Sequence, residues 1–514
     1  MGHTDKLNGA RIGALVALAY LAIVLALWLP FNLRGGLPYE TGFVYTSEIS
    51  TWWNGFLNGA DHLRIYTSIF YQVAYLMGQL SGFAGSWVPF QITYAALWWA
   101  RGFLVFLIGR RIVPGQDVFW YLAGALVLTH SSDFATGWAG LLNQSGYTLW
   151  MPLAFYLLVV ALEQSERWRA DSALLAAIFF EHLSLWSFES QLVILLVAPL
   201  LLFWRYPHPW RSRKAIAAAW YILPVIYVFA TYRKYANSGG KTYQQTILRK
   251  VWGVTPVLSD WAFNVAASLK FWTWRGSDTA HATLPQLAVP TVLAIVVFVL
   301  GLLCLMRADS RWTPGWRTLG LTLLIGSILL VLSFPAYLIL ESAASLWRTQ
   351  ILSSFGAGLV LAAAIGFLAS VASRKWVRAS ILTALGALVA GYGAFSAVKK
   401  CAFHEWVWER QHAAMAQVLE IAPRLKDGTR VVLIDVPRGD DPFLNENEWF
   451  NMALRLAYPG TKVSGHYSYD GTARTGSDRL LLDYQRDGRI SLVDGRQQIE
   501  NGPPSPLAIR RYGK

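Results

Sequence analysis

The chain has 514 residues, of which 55% are hydrophobic and only 14% are charged, and its mean hydropathy is +0.37. Soluble globular proteins carry about 25% charged residues, so this composition excludes an ordinary soluble enzyme and indicates an integral membrane protein. The net charge of +14 is not accompanied by a zinc-ligand spacing, a helix-turn-helix pattern or an RNP-like aromatic motif. We therefore expect no nucleic-acid partner and assign the basic excess to cytoplasmic loops.

The first apolar run extends from Ile12 to Leu33 and follows Lys6 and Arg11. A cleaved signal peptide has an apolar stretch of about 7–15 residues and a small-residue cleavage site, and this run is longer. It suffices for a spanning helix, which needs about 20 apolar residues. We interpret it as an uncleaved signal anchor whose N-terminus is cytoplasmic.

Further apolar runs predict an α-helical polytopic membrane protein with about eleven transmembrane helices. The predicted spans are residues 12–33, 87–109, 117–130, 147–163, 172–188, 190–204, 215–231, 285–306, 318–338, 350–371 and 379–398. Every second junction between them is rich in Lys and Arg, and the short junctions on the other face are nearly free of both. The positive-inside rule then places the N-terminus inside and the C-terminus outside.

Two external segments, residues 34–86 and 232–284, leave alternatives open. Within the first, residues 65–83 are apolar enough to span, which would reverse every later helix. We prefer a helix lying in the outer interface, because it carries Ser68, Gln72 and Gln79. The second segment is basic although it is predicted to be external, which the rule tolerates because it counts mainly short loops.

The chain divides at about residue 398 into a membrane domain, 1–398, and an extracytoplasmic α/β domain, 399–514. The second part begins with an amphipathic helix and continues with the buried strand pattern "TRVVLIDVP". The next element is a helix that ends at a Pro-Gly pair. After it comes a hairpin whose turn carries Asp487-Gly488.

Ionisable and aromatic residues collect on the predicted outer face. They are Glu48, Trp52, Asp61, His62, His130, Asp133 and Arg348. Each has an ordinary alternative: a solvated carboxylate or helix cap for the acids, a snorkelling side chain for Arg348, and interface anchoring for the tryptophans. Glu181 and His182 lie at membrane depth, where ionisable residues usually face the bundle interior, and they suit either a satisfied interhelical pair or a function.

The order of parts over residues 10–165 resembles the C-type (GT-C) superfamily of polytopic membrane glycosyltransferases. Members have a first span, an external loop opening with an acid, a "gxxG"-like stretch, an Asp/His–Pro–Pro-like element, a surface helix and a second span ending in paired basic residues. The corresponding stretches here are "SEISTWWNGFLNGADHLRIYTSIFYQVAYLMGQLSGF" and "QITYAALWWARGFLVFLIGRRI". Glu48 stands where the family more often has Asp, and Leu63-Arg64 replace the prolines that usually follow the second element.

The resemblance implies a GT-C-like fold and transfer of a sugar from a polyprenyl-phosphate-type lipid donor to an extracytoplasmic lipid, polysaccharide or protein. Glu48 is then the general base, with Asp133 as a second catalytic residue that helps hold a metal or orients the acceptor. Arg348 and Arg101 bind the donor phosphate. Asp61, His62, His130 and Trp52 contact substrate. Mg²⁺ or Mn²⁺ held by Glu48 and Asp133 is an open alternative, and the expected location is a bacterial inner membrane.

Two other functions remain alternatives at this stage. A transporter or flippase for a lipid-linked or anionic solute often shows inverted repeats and broken spans, which this sequence lacks. A membrane scaffold would use the outer domain to bind a partner and would tolerate loss of the acids.

Overall fold

A computed structural model of the chain describes most of its length. The described residues are 3–32, 63–81, 87–131, 136–203, 205, 214–237, 249, 253–269, 282–308, 312–339, 350–436, 442–443, 447–468 and 478–512. The first four helices are α1 (His3–Asn32), α2 (Ile69–Ser81), α3 (Val88–Ile112) and α4 (Asp117–Thr129). A 3₁₀ turn, Ala139–Gln144, and a π-helical turn, Gly146–Trp150, lead into α5 (Met151–Glu163).

The remaining helices of the bundle follow in chain order. They are α6 (Arg167–Leu185), α7 (Leu192–Phe203), α8 (Lys214–Asn237), α9 (Val254–Leu269), α10 (Leu284–Ala308), α11 (Trp316–Leu332), α12 (Pro335–Leu338), α13 (Gln350–Val371) and α14 (Lys375–Ile421). Large apolar side chains remain exposed on their outer faces, such as Leu200 at 66%, Phe229 at 63% and Leu368 at 56%. Exposed apolar surface of this extent suits contact with lipid.

Seven helices among the described residues are long and apolar enough to cross a membrane: Gly9–Asn32, Val88–Ile112, Leu142–Glu163, Leu284–Ala308, Trp316–Leu338, Ile351–Val371 and Lys375–Ile421. Two apolar helices, Asp117–Thr129 and Leu192–Leu202, are shorter. The chain is therefore an integral membrane protein. The count of eleven spans and their orientation stay predictions.

The segment that left the topology open, 65–83, contains helix α2 of 13 residues. That length is below the roughly 20 residues that a spanning helix needs. Predicted span four, 147–163, does not begin as a regular α-helix. Residues 146–150 form the π-helical turn instead. The last predicted span and the amphipathic helix after it are one continuous helix, α14, of 47 residues.

The two ends of the bundle are held by different contacts. At one end, Arg110 contacts Asp117 at 2.8 Å and Arg111 contacts Glu163 at 2.8 Å, so the paired basic residues of α3 are neutralised by neighbouring helices. At the other end, Trp87 packs edge-on against Trp408 of α14, with ring centroids 5.6 Å apart. We call this second end the domain end, because α14 continues there into the C-terminal part of the chain.

The C-terminal part forms a small sheet domain with strands β1 (Arg430–Ile434), β2 (Ser464–Ser468), β3 (Arg479–Tyr484) and β4 (Ile490–Asp494) and helices α15 (Asn447–Ala457) and α16 (Pro506–Tyr512). The strand order is β2-β1-β3-β4, and only β3 and β4 are antiparallel. The predicted strand, helix and hairpin are all present, and Gly488 in the hairpin turn has a φ of +82°. Strand β2 was not predicted.

Candidate functional site

Two predicted site residues, Arg101 and His130, come together at the domain end of the bundle. Arg101 projects from α3 and is 3% exposed, and His130 directly follows α4 and is 1% exposed. The Arg101 guanidinium reaches the carbonyl of Leu128 at 3.4 Å. The His130 ring contacts the carbonyl oxygen of Ser268 at 3.1 Å. A guanidinium and an imidazole are thus fixed inside the protein at one place.

Helix α14 adds basic side chains to the same place. Lys400 is 4% exposed and lies within electrostatic range of the His130 ring, as Arg101 does. His404, one turn further along α14, is 2% exposed and has its ring centroid 5.9 Å from that of Trp138. We refer to Arg101, His130, Lys400 and His404 as the basic cluster. Buried ionisable groups in a membrane bundle are costly and usually mark a functional site.

Glycines allow the helices to approach closely around the basic cluster. A Cβ on Gly102 would lie 2.4 Å from the Leu128 side chain, so glycine lets α3 contact α4 directly beside Arg101. Gly137 has a φ of +83°, and a Cβ there would lie 2.4 Å from Cys401 Sγ. Its amide donates a hydrogen bond to the Tyr94 hydroxyl at 3.1 Å. These contacts join α3, the loop before α5 and α14 into one wall.

The described part of the bundle contains a small cavity that Arg101 lines and a larger one that Arg101 does not line. A small one of about 290 Å³ is lined by Arg101, Thr148 and Ile351 among others. A larger one of about 1060 Å³, its open mouth included, is almost wholly apolar. Val105, Pro152 and Phe355 line the larger cavity, and each is one helical turn from a residue that lines the smaller one. The basic side chain of Arg101 thus lies one helical turn from a large apolar cavity.

The start of the described external segment is attached to the end of α6. Arg64 donates two hydrogen bonds to the Glu189 carboxylate, one of them from Nε at 2.9 Å, and its guanidinium lies 4.6 Å from the centroid of the Phe188 ring. The Tyr66 amide donates to the Trp186 carbonyl at 3.1 Å. We call this set of contacts the loop clasp. Leu63, just before it, has a φ of +56°, a conformation that costs energy for a branched side chain.

The loop clasp explains part of a sequence pattern. The i, i+4, i+7 spacing of His182, Trp186 and Glu189 would place them on one face of a continuous helix, but α6 ends at Leu185, so Glu189 lies in the turn beyond it. All three nevertheless contact the same short segment, because the Tyr66 hydroxyl lies 3.1 Å from His182 Nε2. Glu181 faces elsewhere: it is fully buried, and neither carboxylate oxygen has a hydrogen-bond partner in the described part of the chain.

Burial alone would raise the pKa of Glu189, but the Arg64 guanidinium outweighs this and lowers that pKa below its ordinary value of 4.5. The ion pair between Arg64 and Glu189 therefore stabilises the folded protein at pH values above the ordinary pKa of 4.5. This stabilisation is lost as the pH falls through the lowered pKa of Glu189. We expect Arg64→Ala to lower the free energy of unfolding by about 1 kcal/mol at neutral pH, since the side chains are partly exposed. Denaturant titration of the purified protein measures it.

The matched control for the loop clasp is Arg167, which is 93% exposed and lies 3.7 Å from Asp171. Arg167→Ala should leave stability unchanged within a few tenths of a kcal/mol, because fully exposed pairs contribute little. A loss on Arg64→Ala that persists unchanged in the Glu189→Gln background would contradict the pairing.

The other predicted site residues lie outside the described residues. They are Glu48, Trp52, Asp61, His62, Asp133 and Arg348. No group of three or more His, Cys, Asp or Glu side chains able to hold a metal ion occurs among the described residues. The described part of the site is basic, which does not suit a hard divalent cation that needs oxygen ligands. A Mg²⁺ or Mn²⁺ ion held by Glu48 and Asp133 stays a prediction, because both residues lie outside the described residues.

No protein-family model matches the chain, and no curated protein matches it. Among solved structures, the chain is similar to ArnT from Cupriavidus metallidurans. The crystal structure bound to undecaprenyl phosphate has a TM-score of 0.36 and 15% identity, and the match covers 88% of this chain and 85% of that one. The apo crystal structure has a TM-score of 0.34 and 14% identity, and the match covers 88% of this chain and 85% of that one.

Both TM-scores are below 0.5, and both identities are below 25%. Lys400 and His404 were not predicted from the sequence, because "KKCAFHEW" has the pattern of the polar start of an amphipathic helix.

Proposed function

We propose that the protein is a membrane glycosyltransferase that moves a sugar from a polyprenyl-phosphate-type lipid to an extracytoplasmic acceptor. The observation that carries the proposal is the basic cluster at the head of the apolar cavity. Arg101 and Lys400 provide N–H donors that suit phosphate oxygens, and charge-assisted hydrogen bonds of this kind are strong. The apolar cavity below suits the hydrocarbon tail of the same molecule.

The chemistry assigned to the site follows from glycosyl transfer itself. The transition state resembles an oxocarbenium ion, and inversion needs a carboxylate that takes the proton of the acceptor hydroxyl. We assign this role to Glu48 and a supporting role to Asp133. The phosphate that departs gains negative charge, which Arg101, Lys400 and Arg348 would stabilise. The proton moves from the acceptor oxygen to Glu48 while the sugar–phosphate bond breaks.

The proposal includes an orientation. The domain end of the bundle, with the basic cluster and the C-terminal sheet domain, faces the outside of a bacterial inner membrane, and the N-terminus faces the cytoplasm. The alternation of basic junctions along the sequence supports this assignment. So does the loop clasp, which holds the segment following Asp61 and His62 at the end of α6 that precedes the turn to α7.

The test compares two lipids that differ only in the head group. Purified protein in detergent is titrated with undecaprenyl phosphate and, separately, with undecaprenol, and native mass spectrometry measures the bound fraction. We expect the phosphate to bind at least about tenfold more tightly, since a charge-assisted hydrogen bond contributes about 1.5–3 kcal/mol. Equal binding of the two lipids would contradict a phosphate site.

A transporter for a lipid-linked or anionic solute is the second candidate, and Glu181 favours it. A fully buried carboxyl group in a membrane helix is a common feature of proton-coupled transport. Proteoliposomes loaded with a fluorescent lipid-linked sugar separate the two: a flippase moves the intact lipid between leaflets, whereas a transferase cleaves it only when an acceptor is present. A non-catalytic scaffold would do neither.

A further inference from the structure

We propose that a second pocket, on the opposite face of α14 from the basic cluster, binds the sugar of the acceptor as a neutral or amino glycan. This inference rests on the proposed function and adds its acceptor class. The pocket has a volume of about 520 Å³ and lies between the end of α1, the start of α10 and α14. Ligand sites commonly have volumes of about 300–1,000 Å³.

The pocket is built from a rigid frame and a small set of polar groups. Prolines form its frame on α1 and α10, with Pro30, Pro285 and Pro290 in the wall. Gln286 accepts two hydrogen bonds from Thr283 through Oε1, at 2.8 Å each, so its amide nitrogen is the atom that can donate to a ligand. The wall of the pocket therefore includes one amide group that has a nitrogen donor.

Helix α14 contributes an aromatic ring and two carboxylates. Trp406 lines the pocket, with Glu405 beside it and Glu409 one turn further along. The guanidinium of Arg410 lies 4.8 Å from the Trp406 ring centroid and holds the indole in place. An aromatic ring accepts the C–H face of a pyranose, and carboxylates accept hydrogen bonds from sugar hydroxyl or ammonium groups. The pocket thus combines the donors and acceptors that a glycan needs.

The two faces of α14 carry opposite charges and therefore favour different ligands. A helix turns by about 100° per residue, so Lys400 and His404 lie on one face of α14 while Ala402, Glu405 and Glu409 lie on the opposite face. A phosphate-bearing lipid is attracted to the first face and repelled by the second. An acceptor without negative charge has the reverse preference, so the two faces of α14 favour different ligands.

A small organic cation is the competing ligand for such a pocket, because a tryptophan with carboxylates also recognises quaternary ammonium groups. Recognition of a cation of that kind uses several aromatic rings in a closed cage. The aromatic rings that line this pocket in the described residues are those of Phe31 and Trp406, and the rest of the wall is proline, alanine, valine, amide and carboxylate. The polar part suits a ligand with many hydroxyl groups.

The test measures sugar binding without any donor lipid, so it does not depend on turnover. Full-length protein in nanodiscs is examined by saturation-transfer-difference NMR with maltotriose, chitotriose, mannotriose and glucosamine. We expect at least one to bind, and Trp406→Leu and Glu409→Gln each to weaken that binding about tenfold, as loss of a charged acceptor or an aromatic contact does. Thermal unfolding confirms that the variants are folded.

Matched controls come from the same helix. Trp376, 65% exposed at the far end of α14, and Glu420, exposed beyond the pocket, are replaced by Leu and Gln and should leave sugar binding unchanged. Binding of none of the sugars, binding that the pocket variants do not alter, or displacement of the sugar by tetramethylammonium would each overturn the proposal. Loss of undecaprenyl phosphate selectivity with retained sugar binding would overturn the donor assignment alone.

Discussion

Replacing Arg101 by methionine is expected to reduce sugar transfer by about 10²–10³-fold, the range seen when one preorganised donor to a developing negative charge is removed. Methionine keeps a long side chain of similar reach in α3 and removes the charge and the N–H donors. The hydrogen bond of 3.4 Å from Arg101 to the Leu128 carbonyl is among the contacts that it removes. Transfer is measured with a radiolabelled lipid-linked sugar in proteoliposomes.

Arg111 supplies the control for this variant, since it is the same residue type about three turns further along the same helix, where it is paired with Glu163. Arg111→Met should transfer sugar at nearly the unmodified rate. Arg101→Lys should recover part of the activity, because it restores the charge without the planar fork of donors. Equal rates for Arg101→Met and Arg111→Met would remove the basic cluster from the mechanism.

Glu48→Gln is expected to abolish transfer, with a loss of about 10²–10⁴-fold, the contribution of a positioned general base. Glutamine has the same shape but cannot take a proton from the acceptor hydroxyl. Binding of undecaprenyl phosphate should persist, since Glu48 is assigned to the acceptor and not to the phosphate. The combination of retained donor binding and lost turnover is what distinguishes a base from a residue needed for folding.

Glu40 is the matched carboxylate for this experiment, because it belongs to the same external segment and has no assigned role. Glu40→Gln should leave transfer within about twofold of the unmodified rate, as surface substitutions usually do. Full activity of Glu48→Gln would exclude Glu48 as the base and would direct attention to Asp133.

The sequence predicted the architecture well where a single physical rule acts on a long stretch. Apolar runs of about 20 residues predicted the seven long helices, and the hairpin turn at Asp487-Gly488 predicted the pairing of β3 with β4. The rule fails on short elements. Strand β2 has the sequence "SGHYS", which lacks the β-branched residues that mark a strand, and its pairing with β1 supplies the stability instead.

The site was predicted only in part, because burial of a charged residue is a tertiary property. Arg101 stood out as a basic residue within predicted span two, and His130 as a polar residue at the end of predicted span three. Lys400 follows another lysine after the last predicted span, a position where lysine ordinarily meets solvent or lipid head groups. Its burial depends on packing of α14 against α4 and the loop after it. The partnership of Arg64 with Glu189 joins residues 125 positions apart, which no local pattern contains.

Helix α14 is about 70 Å long at 1.5 Å per residue, more than twice the hydrocarbon thickness of a bilayer. Its first half lies in the bundle, and its second half packs against the sheet domain, where Gln417 donates to the Gly488 carbonyl at 2.9 Å. One continuous helix thus sets the distance of the sheet domain from the membrane and its rotation about the helix axis. A residue inserted after Val398 would rotate the rest of α14 and the sheet domain by about 100° relative to the bundle. The number of residues in this helix therefore fixes which face of α14 meets each ligand.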